Sequence, residues 1–410
     1  MSYYIRQLLL CAISLFVLVA CYDDSSNGID LPSGGRVDTL RTSTLVYIMA
    51  ENNLDSYSKK DIAEMYRGAT DVPRDCGMFA FVDDVSVPRI LRFYNEGGVP
   101  VCDTIYTFSD DFCSSDINEF SGVFNWLLNN YPTKELNLVL WSHGSGWLKD
   151  ASRERVQRVI GFDNGVNSPD GSYPSVKAVE MHELAGFLEA LPVKIGFLMF
   201  DACFMQGIEV IYELRNCTDW IIASPAEIPG NGAPYDKLMP LFFAKALSPS
   251  AIIRAYYDNY PYRTGVLLSV VDCSKIEAFA DATAPYIPKY FSKVSPVNYS
   301  EIFQYLKGGY FGDLASYPCY FDMNGAMMLH LTDKEYKEWK KAFDRMVPYS
   351  CAAEGWPTVY NRTGRFATDF EQFGGVSMYL PRSRAEYETF NEDFATMQWY
   401  DRVGWESAGW

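Results

Sequence analysis

"LNLVLWSHGSGW" at residues 136–147 and "KIGFLMFDACFMQG" at residues 194–207 decide how this chain folds. Each begins as a short, continuous apolar run, the pattern of a strand buried on both faces of a sheet. Each then stops abruptly at a reactive residue beside a small one. The first ends in His143-Gly144, the second in Asp201-Ala202-Cys203. The chain has only three histidines, His143, His182 and His330, so one at the tip of a buried strand asks for a reason.

Working outward, strands and helices alternate from residue 42 to about 225. "TLVYIMA" (44–50), "GMFAFVDD" (77–84), "RILRFY" (89–94) and "DWIIAS" (219–224) read as further strands. "DSYSKKDIAEMYRGA" (55–69) reads as a helix. Phe120, Val123, Phe124, Leu127 and Leu128 form an i, i+3, i+4, i+7, i+8 face on a helix that stops before Pro132. Met181, Leu184, Leu188 and Leu191 mark another, and Met205, Ile208 and Ile211 suggest a helix directly after the Asp-Ala-Cys run. Such alternation predicts a mostly parallel sheet covered on both faces, with ligands bound at the carboxyl ends of its strands. Further on, residues 264–280 and 326–347 read as strand then helix, and "GGVSMYLPR" (374–382) reads as a strand stopped by Pro381. These are expected to extend or flank the sheet.

The composition is that of a globular protein of 410 residues, 48% hydrophobic, with a net charge of −17. Acidity on that scale argues against a nucleic-acid partner, which needs a basic footprint, and suits cationic substrates. Residues 1–20 read as a lipoprotein signal peptide, with Arg6 ahead of an apolar run that ends "LVAC". Cys21 is then the lipidated residue, and residues 21–41 are a polar tether. The expected location is a bacterial membrane, in the periplasm or at the cell surface. Without Cys11, Cys21 and a reactive Cys203, seven cysteines remain. That odd number does not imply a complete disulfide framework. No Cys/His spacing suggests structural zinc, and no metal ligand is assigned.

A cysteine attacks as its thiolate, so it needs a base, and an imidazole can shuttle that proton. Adjacent parallel strands would bring His143 and Cys203 to one sheet edge. The N–H groups of Gly144 and Cys203 could then serve as an oxyanion hole. A helix starting at Cys203 would favour thiolate through its dipole. If the strand continues, Asp201 shares a face with Cys203. A carboxylate there opposes thiolate formation, and makes more sense as a receptor for a substrate cation. His182, within a helix, and His330, in "MMLHL", read as structural.

These blocks together resemble the clostripain family of cysteine endopeptidases, of the clan that holds caspases, gingipains and legumain. The matching stretches are "VYIMAENNLD" (46–55), "LVLWSHGSGW" (138–147), "FLMFDACFMQGIEVIYEL" (197–214), "ASPAEIPGNGAPY" (223–235) and "GGVSMYLPR" (374–382). The resemblance implies a caspase-like three-layer α/β sandwich with a mostly parallel sheet. The catalytic domain would span 42–283, with a C-terminal α+β extension over 284–410. It implies a His143/Cys203 dyad, an oxyanion hole using Gly144 and Cys203, and Asp201 in the pocket for an Arg or Lys before the scissile bond. Asn53 and Asn231 join Asp201 as candidate substrate-binding residues. Asn231 stands where relatives carry a second acid, which makes the pocket less anionic. Self-cleavage between the His and Cys blocks is also implied, with Lys149, Arg153, Arg155, Arg158 and Lys177 as candidate sites. No cofactor is required. Calcium dependence, known in the family, has no readable ligand loop, since no "DxDxDG" occurs.

The expected partners are proteins or peptides with basic residues, and a membrane through the lipid. The competing reading is a catalytically inactive caspase-like lipoprotein that binds at a surface. A serine hydrolase using Ser145 is disfavoured, because "SHGSG" lacks the GxSxG elbow.

Overall fold

The apolar runs become the central strands. In order along the chain these are β1 (Thr42–Met49), α1 (Asp55–Gly68), β2 (Cys76–Asp83), β3 (Arg89–Glu96), β4 (Val99–Thr107), α2 (Ile117–Asn130) and β5 (Glu135–Trp141). There follow α3 (Met181–Glu189), β6 (Lys194–Asp201), α4 (Ile208–Glu213), β7 (Thr218–Ala223), α5 (Tyr235–Phe242), α6 (Pro249–Asn259), β8 (Leu267–Asp272) and α7 (Ile276–Thr283). The rest comprises α8 (Ile287–Tyr290), β9 (Phe321–Asp322), α9 (Met323–His330), α10 (Asp333–Met346) and β10 (Tyr349–Ala352). The computed structural model describes residues 39–148, 160, 161, 163, 179–260, 265–306, 319–357 and 365–410. Cys21, the signal segment and all five candidate self-cleavage residues lie outside the described residues. Asp38–Trp410 belong to one compact unit.

Among the described residues the main sheet runs β10-β8-β7-β6-β5-β1-β2-β3-β4. The five strands from β7 to β2 are mutually parallel, and antiparallel strands close both edges. Alternation along each parallel strand feeds two cores. Leu45, Tyr47, Leu138, Leu140 and Phe200 face one side, where α2, α3, α4, α7 and α10 pack. Val46, Ile48, Val139, Phe197 and Met199 face the other, under α1, α5 and α6. This is the three-layer α/β arrangement expected from the sequence. Because β1 is paired with β2 on one side and β5 on the other, the chain reverses direction across the sheet between β1 and β5. A crevice therefore opens at their carboxyl ends.

Three local expectations are corrected. Residues 326–330, read as the start of a strand, are the second half of α9. Asp322 caps that helix by accepting the Gly325 N–H, which commits an ambiguous Met-rich run to helix. Only Ser377 and Met378 of the 374–382 stretch are strand, and they pair with β9 in a separate small sheet. Tyr349–Ala352, not singled out in the sequence, supply the extra edge strand. Arg41, placed in the tether, is already fastened to the body through an ion pair with Asp75 at 3.0 Å. No helix among the described residues is long and apolar enough to cross a membrane.

Candidate functional site

The register of β5 and β6 sets Trp141 beside Asp201, while Ile48 of β1 pairs Trp141 on the other side. The segments after β1, β5 and β6 thus leave the sheet side by side. After β5, the Ser142 hydroxyl donates to Met49 O at 2.9 Å and ties the turn to the end of β1. His143 follows, half-buried, and its Nε2 lies 2.7 Å from the Asn53 amide oxygen. An amide oxygen only accepts, so Nε2 carries the proton and Nδ1 is left with the lone pair. On the far side, the Gly161 N–H donates to His143 O at 3.2 Å.

After β6 the chain does not enter a helix at once. Residues 202–207 form a turn, and α4 begins only at Ile208, so no helix starts at Cys203 and none supplies a dipole there. Inside this turn Phe204 has φ +60, the one non-glycine residue at positive φ among those described. Such a conformation is strained for a residue with a Cβ. Its N–H donates to Ala226 O at 3.0 Å, and its ring stacks on Tyr320 at 4.5 Å. Tyr320 also donates its hydroxyl to Ser145 O at 2.8 Å, so it braces the His and Cys turns together.

The two turns nearly touch. A Cβ placed on Gly144 would stand 2.7 Å from Cys203 O and 2.9 Å from Met205 Sδ. Only glycine permits that approach. The Cys203 sulphur receives the Ile228 N–H at 3.3 Å. Withdrawal from water, then the nearby Glu227 and Asp201 carboxylates, push its thiol up to about 12. It is therefore a neutral thiol in this arrangement, in need of a base.

His143, Gly144, Cys203, Asp201, Glu227, Ile228, Gly230 and Asn53 line one cavity of about 600 Å³. Asp201 lies deep within it, only 5% exposed. It accepts from the Ala233 N–H at 2.9 Å, the Tyr235 hydroxyl at 3.0 Å and the Tyr256 hydroxyl at 3.1 Å. Burial still holds its carboxyl above the usual range despite these three donors. Neighbouring Asp61, bonded to Trp141 Nε1 at 2.7 Å, is raised well above its usual range by its own burial and then by Asp201. The strand ends at Asp201, so the expected alternation does not carry on to Cys203. Asp201 faces α5 and α6, while Cys203 turns toward Ile228.

Of the expected residues, His143, Gly144, Asp201, Cys203 and Asn53 share the cavity. Asn53, expected to bind substrate, lines the cavity and has its amide oxygen on the His143 ring. Asn231 is half-exposed on the turn that Gly232 N→Pro229 O closes at 3.1 Å, between two lining glycines. Glu227, 6% exposed, was missed; its place within "ASPAEIPGNG" was the only available signal. His182 is exposed on α3, and His330 Nδ1 bonds back to Ala326 O at 2.8 Å near the end of α9. The Ser145 hydroxyl donates to Leu148 O at 3.1 Å, which suits a turn rather than a nucleophile.

A profile of the clostripain family matches residues 46–410. The chain belongs to the clostripain family. Clostripain of Hathewaya histolytica is 24% identical over 225 residues, which cover 48% of this chain and 41% of that protein. The match therefore spans about two fifths of clostripain's own length. A secreted C11 cysteine protease from Bacteroides thetaiotaomicron, solved with an irreversible peptide inhibitor, superposes with a TM-score of 0.76 at 27% identity. That alignment covers 89% of this chain and 99% of the other. An inactive zymogen C11 protease from Parabacteroides distasonis gives 0.74 at 21% identity, over 91% and 99%, and bears on the fold alone. Within this clostripain-family chain, the caspase-like α/β sheet is thus that of a known peptidase architecture.

Proposed function

We propose that the chain is a cysteine endopeptidase that cleaves after Arg or Lys. The observation that carries this is the meeting of the Gly144 and Cys203 turns over a cavity floored by a buried acid. His143 Nδ1 takes the Cys203 proton as Sγ attacks the scissile carbonyl carbon. The N–H groups of Gly144 and Cys203 receive the developing oxyanion. As the C–N bond breaks, His143 returns the proton to the leaving amine, and a thioester remains. Water, deprotonated by His143, then hydrolyses the thioester and restores the thiol. No step needs a cofactor.

Asp201 at the base of the cavity, with Glu227 on its wall, would pair with a substrate guanidinium or ammonium. Glu227 offers a second carboxylate although Asn231 is not an acid. The signal-like N-terminus supports export with a lipid anchor at Cys21, and membrane attachment there. Basic residues between the His and Cys blocks support self-processing, at Lys149, Arg153, Arg155, Arg158 or Lys177.

The test is a fluorogenic peptide panel with Arg, Lys, Asp, Asn or Leu before the scissile bond, given to the chain from residue 22. Turnover confined to Arg and Lys is expected, with none in Cys203→Ala. Asp201→Asn should lower kcat/KM on Arg peptides at least about 30-fold, the effect of removing one partner of a buried ion pair. Turnover after another residue would keep the nucleophile and overturn the pocket assignment. No turnover even after trimming the 149–177 loop would favour an inactive surface-binding scaffold.

A further inference from the structure

The turn that carries Cys203 is held from a distant part of the chain. Phe204 sits in it at φ +60, a conformation that persists only where the surroundings enforce it. On one side the Phe204 N–H is tied to Ala226 O at 3.0 Å, just past β7. The contacts on the other side come from residues beyond 300. Tyr320, directly before β9 and 5% exposed, stacks its ring on Phe204 at 4.5 Å and 20°. Ser377, in the strand that pairs with β9, donates its N–H to Gln206 O at 2.9 Å. Tyr379 donates its N–H to the Glu209 carboxylate at 2.7 Å, at the start of α4. Residues 204, 206 and 209 are thus gripped in succession by one small sheet and the residues that flank it.

Tyr320 differs from the other two in reaching both halves of the site. Its hydroxyl donates to Ser145 O at 2.8 Å, in the turn that carries His143. Between the two contacts, Gly146 has φ +68 and lies so close that a Cβ there would stand 2.9 Å from Phe204 O and 3.6 Å from Tyr320 Cε1. Ser145 is two residues after His143, and Phe204 is one after Cys203. A rigid ring with a polar tip therefore spans the gap between the two reactive turns.

We propose that Tyr320 is a positioning residue for the acyl transfer: it sets the separation of His143 and Cys203 by holding Ser145 through its hydroxyl and Phe204 through its ring. This rests on the peptidase reading of those two residues. Tyr320 is not among the residues that line the substrate cavity, so it acts on the chemical step and not on substrate affinity. The C-terminal part of the chain thereby enters catalysis without touching substrate.

The test compares Tyr320→Phe, Tyr320→Leu and Phe204→Gly in the chain from residue 22. Phenylalanine keeps the ring and loses the hydroxyl, so kcat should fall about 10-fold with KM within about twofold and Tm within about 3 °C. Leucine loses the ring as well, and kcat should fall about 100-fold. Glycine at 204 takes a positive φ with no ring to hold it. In a Phe204→Gly background the gap between the leucine and phenylalanine variants should therefore close to within about twofold. The rate at which iodoacetamide alkylates Cys203, followed on its tryptic peptide by mass spectrometry, reads the same geometry without substrate. At neutral pH it should fall at least about fivefold in Tyr320→Phe. A parent chain that turns over no peptide would overturn the peptidase reading, and an unchanged alkylation rate in Tyr320→Phe would overturn the role of Tyr320. So would an unchanged kcat in that variant, a loss carried by KM alone, or a gap that Phe204→Gly leaves open.

Discussion

At the scale of single residues, the state of His143 is decided by one oxygen. The Asn53 amide oxygen can only accept, so it favours the proton on Nε2, and in the proposed reaction Nδ1 would be the base. A residue that positions a base should act on kcat, whereas one that binds substrate should act on KM. Asn53→Ala is therefore expected to lower kcat about 10- to 100-fold with KM within about twofold, read from full saturation curves on an Arg peptide. A raised KM at unchanged kcat would return Asn53 to substrate binding. The sequence made the placement of His143, Asp201 and Cys203 at one cavity legible, because each ends an apolar run beside a small residue. It did not carry the contact of Asn53 with His143 or the burial of Glu227 in the cavity wall. Both sit in turns whose path is set by tertiary contacts, and no local period reports on a turn's direction.

At the scale of elements, the proposed catalysis would depend on how closely two turns approach. The strands β5 and β6 were legible because parallel strands buried on both faces must be continuously apolar. The turn after β6 was not, since "CFMQGIEVIYEL" looks helical from its start while the chain spends residues 202–207 in a turn through a positive φ at Phe204. A similar ambiguity misread the Met-rich second half of α9 as strand. What the turn achieves is contact between Gly144 and the Cys203 backbone. In Gly144→Ala the new methyl would meet Cys203 O at 2.7 Å, a backbone atom that cannot rotate away. The turns must then separate, and misplacement of that kind is expected to lower kcat/KM about 100-fold or more while far-UV spectra stay native. Activity within a few-fold of the parent would show that the two turns tolerate a wider separation.

At the scale of the whole molecule, the order of strands determines what a cut in the chain can do. The His turn follows β5 and the Cys turn follows β6, with residues 142–193 between them, yet β5 and β6 are direct neighbours in the sheet. Their ladder runs from Glu135 beside Lys194 to Trp141 beside Asp201. Both strands are buried on both faces by helices drawn from each side of the cut: α1 and α2 precede it, α3 to α7 follow it. A cut between β5 and β6 therefore leaves the β5–β6 ladder itself intact. The separated pieces would each present an open parallel edge and a bare apolar face, which disfavours dissociation. After limited trypsin treatment of the Cys203→Ala chain, two fragments on a denaturing gel should elute as one species of uncut size in gel filtration. They should part only in denaturant. Separation under native conditions would mean that the shared sheet is too weak to hold the two halves of the site together.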